Sequence, residues 1–98
     1  VTAMSHEFDS IHNHHEQAVY HAVLAASTRF GHLSDPAIQA DIACVALNRL
    51  PPRYIRHDID FSFYLTDRER NENEAAIDEA VTFAYQFVQA KVAMRARR

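Results

Sequence analysis

The chain has one glycine, Gly31, one cysteine, Cys44, three prolines and no tryptophan among its 98 residues. So little glycine excludes a glycine-rich phosphate loop and leaves few places for tight turns, which favours helices. A lone cysteine excludes a disulfide framework or a thiolate zinc cluster drawn from this chain. Set among Ala, Ile and Val, Cys44 reads as a small buried hydrophobe. No run approaches the roughly 18 apolar residues of a membrane span and no signal peptide is visible, so the protein is expected to be cytoplasmic. A formal charge of −3 gives no whole-chain case for nucleic acid. There is no nucleophile elbow, Walker loop or HExxH motif, so the chain is not expected to be an enzyme. The nearest approach to an active site is His57-Asp58-Ile59-Asp60.

What is present describes one domain. Hydrophobic residues at 48% and charged ones at 23% fit a folded chain with a modest core rather than a disordered one. That domain is expected to span residues 8–94, with flexible ends at 1–7 and 95–98.

The first helix is expected from Asp9 or Ser10 to about Phe30. Phe8, Ile11, Ala18, Val19, Ala22, Val23, Ala26 and Phe30 recur at helical spacing, and Gly31 falls where a left-handed cap is wanted. His12, His14, His15 and His21 crowd this stretch, but no two are four apart, so no metal is assigned to them. The second helix opens at Asp35-Pro36, a cap followed by a proline in the first position. Ile38, Ile42, Val45 and Leu50 form its buried stripe. Asp41 reads as solvated, with a pairing to Arg49 or to a second chain as the alternative.

The helix then meets Pro51 and Pro52. Each fixes φ and lacks an amide donor, and Pro51 pushes Leu50 out of the helical region. The helix must stop at Arg49 or Leu50, and the chain leaves extended. Arg49, Arg53, Tyr54 and Arg56 cluster at this corner, as a solvated helix end or as a binding surface. From Ile55 to Leu65 apolar and polar residues alternate, which predicts a half-buried extended segment. Nothing else in the chain reads as a strand to pair with it. The segment is therefore irregular or pairs with its own copy in a two-fold dimer. The last helix starts at the capping box Thr66-Asp67-Arg68-Glu69 and runs to about Met94, roughly 40 Å. Its stripe Ile77, Val81, Ala84, Val88 and Val92 exceeds what so small a domain needs, so part of it should meet a partner chain.

ALNRLPPRY followed by IRHDIDFSFYL resembles the late competence development protein ComFB family, and IHNHHEQAVYHAV resembles that family's opening helix. The likeness covers residues 8 to 92. It implies a small, mostly helical, dimeric protein of bacterial regulation, and some ComFB-type proteins are receptors for cyclic dinucleotides. Asn13 and Glu16 match the family pattern and are expected in helix packing or a partner-chain contact. The cysteine cluster that could hold zinc in some members is missing from SDPAIQADIAC, so no zinc and no cofactor is carried over.

A cyclic dinucleotide offers phosphates and purines. Arginine suits both, as a bidentate donor and as a stacking plane, and tyrosine can stack on a base. The expected fold is all-α: three main helices, a short extended segment after the LPP corner, and a homodimer. The expected ligand is cyclic di-GMP, with cyclic di-AMP second, held by Arg49, Arg53, Tyr54, Arg56 and Asp58. Loading would change the behaviour of a downstream protein partner. The alternatives are a ligand-free dimeric interaction module, as in competence development, and a nucleic-acid or metal-binding accessory.

Overall fold

The structure, a computed structural model, describes residues 6–57, 59 and 65–96. Three α-helices carry the described fold: α1 (Glu16–Ala26), α2 (Pro36–Arg49) and α3 (Asp67–Ala96). A two-residue antiparallel ladder joins β1 (His12–Asn13) to β2 (Tyr54–Ile55), pairing His12 with Ile55 and Asn13 with Tyr54.

Helix α2 begins and ends as its sequence requires. The Asp35 carboxylate accepts from the Ala37 amide at 2.8 Å, with Pro36 in the first turn. The helix stops at Arg49, and Leu50 turns to an extended conformation at φ −89°, ψ 142°. Helix α3 starts with Thr66 Oγ1 accepting from the Glu69 amide at 3.1 Å. Asp67 and Glu69 lie in its first turn and Arg95 in its last, so both ends complement the helix dipole.

The core lies where α3 packs against both α2 and α1. Ala46, Ala80 and Ala84 are wholly buried, and their small side chains let the helices approach closely. Larger residues fill the space around them: Ile42 from α2, Val19 and Val23 from α1, Val81 and Tyr85 from α3. Tyr85 is fully buried, yet its hydroxyl donates to the Val23 carbonyl at 2.6 Å. Its ring stacks on Phe30 with centroids 4.4 Å apart. Burial pushes its phenol pKa up, against a smaller opposing pull from Arg29.

Four expectations need correction. The first helix begins at Glu16 rather than near Asp9 or Ser10. Residues His6–Ser10 form a 3-10 turn without a buried side chain, and Phe8 and Ile11 are exposed. His12 and Asn13 between them are extended, because they pair with β2. Gly31 adopts no positive φ. Helix α1 instead tightens through the Ser27–Arg29 turn, where Ser27 Oγ donates to the Leu24 carbonyl at 2.6 Å, and Phe30 breaks it at φ −132°, ψ 52°. Cys44 is exposed, because the buried side of α2 runs through Ile42, Ala43 and Ala46.

Lastly, the extended segment after the prolines has a partner inside the chain at its start, where Tyr54 and Ile55 pair with Asn13 and His12, so no second copy is needed there. Ile59 is helical and 75% exposed, so the alternation does not continue through it as a strand. Residues 58 and 60–64, over which most of it was read, lie outside the described residues.

Candidate functional site

The double proline sets the local problem. Pro51 and Pro52 have no amide, so the backbone regains a donor only at Arg53. That amide donates to Asn13 Oδ1 at 3.2 Å, and the Arg53 carbonyl accepts from the His14 amide at 2.7 Å. Asn13 Oδ1 also accepts from the His15 amide at 3.2 Å, which turns the chain into α1. A single carboxamide oxygen thus holds the start of α1 and the residue after the prolines together. Asn13 is 9% exposed and clamps β1 to the corner through its side-chain oxygen.

His15 lies beside this clamp at 8% exposure, its ring 5.6 Å from that of His14. Burial first, then the nearby His14 and Arg53 charges, lower its pKa.

Beside the corner a cleft of about 760 Å³ opens between α1 and α2, within the range of small-molecule sites. Glu16, Tyr20 and Leu24, four residues apart, line the α1 wall. Ala40, Cys44 and Leu47 belong to the α2 wall, and Leu50, Pro52, Tyr54 and Asn13 close one end. The walls are mainly apolar, and among the described lining residues Glu16 alone carries a formal charge. Tyr54 is 67% exposed at this end. Asn48 also lines the cleft while its amide donates to the Cys44 carbonyl at 2.9 Å, so it serves the helix end as well.

The expected site residues divide. Tyr54 is on β2 and reaches the cleft, and Arg53 is the residue before it, anchored through its backbone. Arg56 follows β2, and its Nε donates to Ser10 Oγ at 2.8 Å, tying it to the opening turn. Arg49 faces α3. Its guanidinium grips Glu79, with Nη2 2.7 Å from Oε1, and lies 4.0 Å over the Phe83 ring. Hydrogen bonding to Arg49 holds the Glu79 carboxyl below its usual range. The alternative Asp41–Arg49 pair does not form, since Glu79 takes the arginine. Asp58 lies outside the described residues.

Tyr20 and Leu24 were not foreseen as cleft walls. Their i, i+4 spacing with Glu16, off the buried Val19–Val23 stripe, was the available signal. Among the described residues no cluster of His, Cys, Asp and Glu side chains could hold a metal ion. No described helix is long and apolar enough to cross a membrane.

Three helices, a prolyl corner and a clamp to the opening segment define a small helical domain with an apolar cleft beside the strand that carries Tyr54. The chain belongs to the late competence development protein ComFB family, whose model matches residues 12–92. Searches of curated proteins and of solved structures gave no match.

Replacing Asn13 by Ala leaves the Arg53 and His15 amides without their shared acceptor. The expected loss is about 1–3 kcal/mol of stability, read as a lower urea midpoint. Amide exchange should accelerate at Arg53 and His15 while the α3 core keeps its protection; unchanged exchange there would refute the clamp. The lowered His15 pKa has a definite sign. Below the ordinary histidine value the unfolded chain binds a proton that the folded chain resists, so stability falls as pH drops through the window beneath about 6.5. The urea midpoint should decline across that window, and His15→Gln should flatten the decline.

Proposed function

We propose that this protein is a receptor for a cyclic dinucleotide, cyclic di-GMP before cyclic di-AMP. It acts as a cytoplasmic homodimer that alters a downstream protein partner once loaded. It is not an enzyme, needs no cofactor or metal, and does not act through nucleic acid. The observation that supports this reading most is the exposed Tyr54 ring at the mouth of the cleft, flanked in sequence by Arg53 and Arg56. Family membership supports the regulatory role.

The division of charge suggests how such a ligand would lie. The cleft walls offer apolar surface and one carboxylate, so a base enters and the phosphates stay outside with Arg53 and Arg56. Glu16 suits a guanine edge, whose adjacent N–H groups both donate to a carboxylate. Adenine presents one amino donor beside a ring acceptor that a carboxylate repels. Arg49, engaged by Glu79, holds the corner to α3 in this reading and does not contact the ligand unless that pair opens. Asp58 remains a candidate from its position in sequence.

A second reading has its own observation. Leu24 is 57% exposed beside Tyr20, and the cleft wall is mostly apolar, which suits a segment of a protein partner as well as a base. In that case the chain is a ligand-free dimeric interaction module, as in competence development.

Calorimetric titration separates the two readings. Cyclic di-GMP should bind, and more tightly than cyclic di-AMP. Tyr54→Ala should weaken binding by about one to two orders of magnitude, from a base stack of about 1–3 kcal/mol. Arg53→Ala should abolish it while the circular dichroism spectrum is unchanged. Absence of heat with either nucleotide, from folded protein, would overturn the receptor in favour of the interaction module.

A further inference from the structure

Helix α3 carries two apolar stripes, and its own domain uses only one. Ile77, Val81, Ala84 and Val88 are buried against α1 and α2. A second series, Ala76, Ala80, Phe83, Phe87, Ala90 and Met94, follows steps of four and three throughout, the spacing of a coiled-coil seam. Only Ala80 of that series is buried, at the margin shared with the core. Phe83 is half-buried beneath the Arg49 guanidinium, while Phe87 is 42% and Met94 64% exposed. Phe83 and Phe87 stack with centroids 6.0 Å apart, so an aromatic pair stands at the middle of the open seam.

The charges of the helix identify what covers it. Asp67, Glu69, Glu72, Glu74, Asp78 and Glu79 crowd its first half against Arg68 and Arg70. From Ala80 to Ala96 there is no acidic residue, and Lys91 and Arg95 are the charges. A parallel copy would set acidic half against acidic half. An antiparallel copy sets each basic end beside the other's acidic half.

We propose that a second copy of this chain packs antiparallel along α3, with the two-fold axis passing between Phe83 and Phe87. This rests on the homodimer of the reading above and specifies its interface. Side-chain size agrees with the register. Phe83 of each copy meets Phe87 of the other across the axis, Met94 meets Ala76, and Ala80 meets Ala90. Lys91, whose Nζ lies 5.3 Å over the Phe87 ring, flanks the seam and shields the aromatic pair at its edge.

Light scattering coupled to gel filtration tests the seam, with circular dichroism to check folding. The natural chain should have the mass of two copies, and Phe87→Glu, at an already exposed position, that of one. Orientation is tested by oxidation in a Cys44→Ser background. Gln86→Cys, beside the axis, should form an intermolecular disulfide, and Met94→Cys, whose counterpart is Ala76, should not. Ready cross-linking of Met94→Cys but not Gln86→Cys would mean a parallel pair and overturn the register. A Phe87→Glu protein that stays dimeric would overturn this seam and leave the homodimer standing. A natural chain that remains monomeric at every concentration would remove seam and homodimer together, while nucleotide binding could still be read from the titration.

Discussion

Helix α2 cannot continue past Leu50, and much of the fold's arrangement follows from that stop. Two prolines in succession leave a stretch of backbone without donors, directly after a helix end whose last carbonyls already lack partners. Leu50 is buried, so the corner is pinned to the core before the chain departs. The first amide beyond the prolines, that of Arg53, then needs an acceptor close at hand. Asn13 Oδ1 provides it, and the His14 amide answers the Arg53 carbonyl. The opening segment is thereby drawn out of helix and into a two-residue ladder. The late start of α1, the position of Tyr54 and the closed end of the cleft all go with the acceptor that Asn13 offers to the first amide after the prolines.

The parts of this arrangement that were legible in the sequence are those that depend on neighbours along the chain. Asp35-Pro36 and Thr66-to-Glu69 act within one turn, and both caps form as their residue types require. The proline stop is equally local. What could not be read was pairing at a distance. His12 and Asn13 are too short a stretch to show alternation, and the helical spacing of Phe8, Ile11 and Ala18 on either side pointed to a continuous helix. The ladder sits beside a clamp between residues 40 apart that is made by a side-chain oxygen, for which no periodic signal exists. Cys44 illustrates a related limit. On a helix apolar nearly all round, composition does not say which side faces the core, and packing against the last helix and α1 decides it.

The candidate site was legible in part for the same reason. Arg53, Tyr54 and Arg56 follow the corner in sequence, so their grouping needed no tertiary knowledge. Arg49 is adjacent to Asn48, yet the two serve different surfaces. A step of 100° around the helix takes Asn48 to the cleft and Arg49 to Glu79 and Phe83 of α3. The Arg49–Glu79 pair is exposed on both sides, so its contribution to stability is small. Its effect is geometric: it fixes a planar guanidinium over the Phe83 ring.

The last turn of α2 therefore borders two surfaces, the cleft through Asn48 and the open stripe of α3 through Arg49. That turn is a poor candidate for a switch. Leu50 is buried against the core and the prolines fix the exit, so the turn transmits position rather than choosing between two arrangements. The softer element is the opening segment, which meets the corner at the same end of the cleft. Residues His6–Ser10 bury no side chain, and the opening segment is joined to the corner through the short ladder, the Asn13 clamp and the Arg56–Ser10 hydrogen bond. Few buried apolar contacts mean a low cost of local opening. Both arginines proposed to meet phosphate, Arg53 and Arg56, are joined to this segment, one through its backbone and one through its side chain. A ligand that draws on either guanidinium acts on the opening segment before it acts on the helices. In a receptor built this way, the loaded and empty states would differ at residues 6–15, with the three-helix core and the α3 surface the same in both.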